Sequence, residues 1–169
     1  MQRLVVTTIL TVLLSIIGSS ISTYAQTNPR YIISIEGDSS DVYDELINAI
    51  ISEGLAINYV GNVNQMLERT SPVQDNTVEI SKQVRPVYLF AKYMQFCSSE
   101  LTHQAVQANP KNLSMCPFVV FIYETSANPG HIVIGYHPPT LSSDKASKVI
   151  YQDIVLFLNG ILNEVASNY

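Results

Sequence analysis

The 169-residue chain predicts an α+β fold, a single-layer mixed β-sheet packed with α-helices and built from strand-helix-strand units, a β-hairpin and a C-terminal helix. Three observations carry that reading. Two largely apolar runs, Val87–Phe96 and Phe118–Tyr123, flank a short amphipathic segment, and strands that are apolar on both faces belong in the middle of a covered sheet. A third run, His131–Tyr136, follows after a turn at residues 125–130, which is hairpin spacing. From Asp144 to about Ala166 apolar residues recur at helical spacing, the pattern of a helix with one buried stripe.

The first 25 residues stand apart from this pattern. Arg3 supplies a positive start, Leu4–Ile17 is almost continuously apolar, and Thr23-Tyr24-Ala25 places small residues where a signal peptidase cuts. The expected organisation is a signal peptide at 1–25 and one domain at 26–169, located in the periplasm or secreted. A membrane anchor is the competing reading, since Leu4–Ile21 approaches the ~20 residues that cross hydrocarbon. No stable membrane insertion is expected of the mature chain. Its length suits one core, large enough to fold without a metal or a disulfide.

The net charge is −5, and removal of Arg3 leaves eight basic against fourteen acidic side chains, or −6. Nucleic acid is therefore not an expected partner, because phosphate binding draws on clustered Lys and Arg. The cationic residues here are scattered singly.

Taken in order, Tyr31–Glu36 alternates as an opening strand. Gly37–Ser40 forms a turn, with Ser39 or Ser40 capping a helix over Asp41–Glu53 whose stripe is Val42, Leu46, Ala49 and Ile50. Gly54 ends it, and Leu55–Val60 returns as a strand. Asn62–Arg69 reads as a short helix and Asn76–Lys82 as a short helix or irregular strand. The whole Gly61–Gln83 stretch is expected to shape any ligand site, as loops and short elements commonly do. After the central strand Val87–Phe96, Ser98 or Ser99 caps a helix to Ala108, and Asn109-Pro110 stops it. The last helix begins at Ser142 or Ser143, with Val149, Ile150, Ile154, Phe157, Ile161 and Val165 facing inward; Gly160 weakens it locally by up to ~1 kcal/mol.

Cys97 is the first candidate site residue. It lies just before a helix cap, where amides and the helix dipole stabilise a thiolate, although a small buried residue at a strand end is the commoner role for cysteine. If the flanking strands run parallel, Cys116 starts one strand while Cys97 ends the other. Several residues at ~3.3 Å each then separate them, against the ~6 Å that disulfide Cα atoms require. Only a return through Pro110–Met115 would bring them together, so both thiols are expected to be free and no disulfide is predicted.

His103 shares the helix that begins beside Cys97, an arrangement seen in soft-metal and nucleophile pairs and also in any surface helix. His131 and His137 are about 20 Å apart along an extended strand, too far to share a metal. Glu124 ends a strand and is either a pocket carboxylate or a turn residue. No recognised catalytic, zinc-binding or phosphate-loop motif is present, and the sequence assigns neither cofactor nor metal. Tyr88, Tyr93, Tyr123 and Tyr136 fall in or beside the sheet, where they would line a cavity or stand half-buried with their hydroxyls at its edge.

Phe96-Cys97, Leu101, Ala105, Asn109-Pro110, Pro117 and Tyr123-Glu124, with Gly54-Leu55 and Tyr136–Pro138 more weakly, form a pattern that resembles the small domain catalogued as domain of unknown function 302. Members of that family often carry cysteine directly after the proline that matches Pro117, whereas this chain places Cys116 before it. The resemblance implies a compact α+β fold with helices against a sheet and no established reaction, and it carries Cys97 over as a matching residue. The leading reading is a non-catalytic ligand-binding or accessory module with a groove near Cys97, His103 and Gly61–Gln83, taking a small molecule or a protein. The alternatives are a thiol-dependent enzyme or soft-metal-handling protein centred on Cys97, and a self-associating structural domain such as a homodimer.

Overall fold

The computed structural model describes residues 31–70, 86–140 and 143–169. The expectations for the signal peptide, for Asn76–Lys82 and for Ser142 fall outside those residues. Strands β1 (Ile32–Glu36), β2 (Ile57–Asn62), β3 (Tyr88–Phe96), β4 (Phe118–Thr125) and β5 (His131–Tyr136) form one sheet in the order β1-β5-β4-β3-β2. The helices are α1 (Ser39–Ser52), α2 (Val63–Thr70), α3 (Ser99–Ala108) and α4 (Lys145–Ala166), and a 3₁₀ helix spans Pro110–Met115. This is the α+β class the sequence predicts, with each helix within a few residues of its expected bounds.

Every pairing in the sheet is antiparallel, and that corrects the expected parallel arrangement of β3 and β4. The cause lies in the connection. The ten residues of α3 carry the chain out by roughly 15 Å. Asn109-Pro110 then turns it, and the six residues of the 3₁₀ helix bring it back by roughly 12 Å. The excursion ends at the rim where it began, so Phe96 pairs with Phe118 and their rings meet edge to face at 5.9 Å.

Side chains alternate across a strand, and one face of the sheet carries the core. Met94, Phe96, Phe118, Val120, Ile122, Ile132, Ile134 and Tyr136 are buried there against Val42, Leu46, Ala49 and Ile50 of α1 and Ile150, Ile154, Leu158, Ile161 and Leu162 of α4. Val149, expected to face inward, is 55% exposed, because the buried arc of α4 is centred one residue further round. The helix continues through Gly160. Among the described residues α4 alone is long and apolar enough to cross a bilayer, but its apolar stripe is occupied by the sheet.

The caps differ slightly from expectation. Asp38, ahead of the expected serines, accepts from the Ser40 and Asp41 amides, while Ser98 accepts from the Leu101 amide. Asp144 caps α4 and also anchors a buried polar network. The Asn112 side-chain amide donates to the Ala105 carbonyl at 3.0 Å and to Ser147 Oγ at 2.7 Å. Ser147 Oγ donates in turn to Asp144 Oδ2, which also receives the Asn109 amide. Asn112 and Ser147 are buried, so this chain ties the outer end of the α3 excursion to α4.

At the opposite flank Tyr31 and Tyr151 share a hydroxyl hydrogen bond of 3.2 Å, and the Tyr31 ring stands edge-on to Tyr136 at 5.3 Å. Burial, and then the neighbouring Tyr31 and Tyr151, hold the Tyr136 phenol above the ordinary tyrosine range. The hydrogen bond to Tyr31, aided by burial, pushes Tyr151 up to about 12.

Two outcomes are expected. Asn112→Ala strands Ser147 beside its remaining partner, and a urea midpoint should report a loss of about 1–3 kcal/mol; an unchanged midpoint removes the network from the stability account. The folded state also retains the Tyr151 proton where the unfolded chain, with an ordinary pKa of 10.0, has lost it. Stability then falls as pH rises from 10 toward about 12. Tyr151→Phe should make that slope shallower in urea titrations across this range, the remainder coming from Tyr136, and an identical slope in the variant would assign the effect elsewhere.

Candidate functional site

Cys97 and Cys116 are joined by a disulfide, with Cα atoms 5.7 Å apart. This corrects the expectation of two free thiols. That expectation rested on parallel strands, and the fold-back through Pro110–Met115 places both cysteines at one rim. With the sulfurs bonded, Cys97 has no thiolate to offer, so a thiol nucleophile or soft-metal ligand is not what the oxidised protein presents at this position. Both residues are half-buried.

The other two sequence candidates do not join Cys97. His103 lies on the outer side of α3 with its Nε2 2.9 Å from the Gln107 amide nitrogen. Glu124 stands at the far end of β4, six residues beyond Phe118, or about 20 Å of strand away from the disulfide. Its carboxylate accepts from the Gly130 amide at 2.8 Å, and Gly130 occupies the left-handed region at φ 78°. That is the chemistry of a turn clamp. Among the described residues no three His, Cys, Asp or Glu side chains gather as metal ligands.

The groove lies instead on the second face of the sheet. A cavity of about 500 Å³ is lined by Val63 at the start of α2, by Tyr88, Tyr93 and Gln95 of β3, by Val119, Phe121 and Tyr123 of β4, and by His137. The register that pairs Tyr93 with Phe121 and Gln95 with Val119 puts these side chains on one face. Four rings follow one another across it. Phe121 and Tyr123 are nearly parallel, 16° apart in plane with centroids 6.2 Å apart. Tyr88 is inclined 67° to Tyr123 at 5.6 Å, and His137 is inclined 61° to Phe121 at 5.7 Å. The result is an aromatic floor with a tilted ring at each end.

Two glycines set the height of that floor. A Cβ on Gly135 would come within 2.5 Å of the Phe121 ring, and one on Gly61 within 2.1 Å of the Tyr93 ring. Each ring therefore lies across bare backbone of the neighbouring strand. Asn64 holds α2 beside the groove by donating to the Tyr88 carbonyl at 2.9 Å. Lys92 also borders the cavity, but its ammonium sits 4.0 Å from the Tyr43 centroid and 4.9 Å from that of Phe90. Tyr43 belongs to α1 on the core face, so the charge is turned away from the groove.

The sequence reading had three of the four named tyrosines in place, since Tyr88, Tyr93 and Tyr123 line the cavity while Tyr136 is in the core. It missed Phe121, His137 and Gln95 as companions. The available signal was a glycine inside each of two strands, Gly61 and Gly135, where a side chain or ligand approaches the backbone closely.

Fold and site together define a small α+β domain with one helix-covered sheet face and one aromatic face. The profile of a family described as "Domain of unknown function DUF302" matches residues 31–165, and the chain belongs to that family. The crystal structure of the uncharacterized conserved protein DUF302 from Bacillus stearothermophilus is similar over 79% of this chain and 97% of that chain, with a TM-score of 0.59 and 16% identity. At that identity the likeness shows a shared fold. No curated protein matches the chain.

Peptide mapping of the unreduced protein should recover Cys97 and Cys116 in one cross-linked species, with no alkylation before reduction. Closing a loop of this length is worth about 3 kcal/mol, so a Cys97→Ser/Cys116→Ser variant should unfold at correspondingly lower urea. Alkylation of either cysteine in the unreduced native protein would contradict the bond.

Proposed function

We propose that the protein is an exported, non-catalytic binding module whose ligand lies in the aromatic trough on the second sheet face. The observation that carries this reading is the row Tyr88, Tyr123, Phe121 and His137 around a cavity of about 500 Å³. Ligand cavities are commonly ~300–1,000 Å³, mostly apolar, with a few polar atoms that fix orientation; here Gln95 and the tyrosine hydroxyls serve that purpose. The Phe121 ring lies against Gly135 and the Tyr93 ring against Gly61 before any ligand arrives, which lowers the ordering cost of binding. Export is supported by the Met1–Ala25 pattern and by a disulfide of the kind that persists in oxidising compartments.

A neutral apolar dye such as Nile red reports on the trough directly. It should bind the wild-type protein with a blue-shifted emission, and Tyr123→Ala or Phe121→Ala should weaken it roughly tenfold, since each ring contributes on the order of 1 kcal/mol beyond its buried area. Variants that keep their circular dichroism and bind the dye unchanged would move the ligand site off this face.

A further inference from the structure

The electrostatics of the trough narrow the class of its ligand. Apart from His137, its lining consists of phenols, a phenyl ring, an amide, aliphatic groups and the turned-away Lys92. Among the described residues, an anionic ligand would find neither a guanidinium nor an ammonium directed at it. A polyhydroxylated ligand would call for more hydrogen-bond partners than Gln95, His137 and the tyrosine hydroxyls supply, and each hydroxyl buried without one costs about 1–3 kcal/mol. The ring faces, by contrast, carry the negative side of an aromatic quadrupole and attract cations, most strongly those released easily from water. The net charge of −5 raises the local concentration of cations in the same sense.

The protein already makes this kind of contact, with the Lys92 ammonium 4.0 Å from the Tyr43 centroid and 4.9 Å from that of Phe90. A corner suited to a larger cation is present where Tyr88 meets Tyr123, the two ring planes standing 67° apart at a centroid distance of 5.6 Å. A fully alkylated ammonium, whose charge is spread over methyl groups, presents apolar surface to both rings at once. We propose that the trough binds an organic cation with a quaternary ammonium head seated in the Tyr88–Tyr123 corner, the rest of the cavity accepting its apolar remainder. This inference rests on the binding role assigned to the second sheet face.

Choline and its uncharged carbon isostere 3,3-dimethylbutan-1-ol have the same shape, so their difference reports the charge. Each is titrated into the mature protein while the aromatic ring resonances are followed by NMR. Choline should shift the Tyr88 and Tyr123 signals and bind at least tenfold tighter than the alcohol, and Tyr123→Leu should abolish the choline response. Equal or tighter binding of the alcohol overturns the cation assignment while leaving the trough as a binding site. Silence of both rings toward choline, in a protein that still holds Nile red at Tyr123 and Phe121, does the same. Failure of the Nile red experiment as well removes the binding role itself.

Discussion

The pairing of Phe96 with Phe118 is the constraint on which the remaining structure depends. It is enforced from just outside the sheet, where Cys97 and Cys116 are bonded across the first position beyond the ladder on one strand and the second on the other. A slip of one residue would invert every side chain of a strand between the two faces. With the observed register, Met94, Val120 and Ile122 meet the helices, while Tyr93, Phe121 and Tyr123 are delivered together to the other side. The core and the trough are thus two products of a single alignment. The Asn109, Asn112, Ser147 and Asp144 network supports the same alignment from further out by fixing the far end of the excursion to α4.

An antiparallel sheet needs only one face against the core. Among the described residues, the second face of this one carries tyrosines and a phenylalanine from β3 and β4, each partly buried against its neighbours. The phenols make the arrangement tolerable in water, because each ring buries its body against a neighbour and leaves a polar tip. Gly61 and Gly135 weaken their own strands slightly in return for letting rings lie close to the backbone.

Much of the architecture was legible because it rests on local signals. The β5 strand at His131–Tyr136 and the interior of α1 follow from apolar periodicity, and Ser98 follows from cap chemistry. The strand direction was not legible, since it turns on whether Pro110–Met115 runs onward or folds back as a 3₁₀ helix, and neither hydrophobic spacing nor cysteine count distinguishes those paths. That single ambiguity propagated into the cysteines, whose bond depends on the path. The candidate site was legible only in part. Tyr88, Tyr93 and Tyr123 announced themselves by composition, but their company with His137 depends on a cross-strand register that lies far apart in sequence.

Because sulfur bridges the base of the α3 excursion, β3 and β4 are linked by two independent covalent routes, one through nineteen positions of backbone and one through a pair of side chains. Proteolysis anywhere within Ser98–Met115 would open only the longer route. The molecule would keep its connectivity under oxidising conditions and fall into two polypeptides on reduction, so the bond is a second thread at the joint the sheet can least do without.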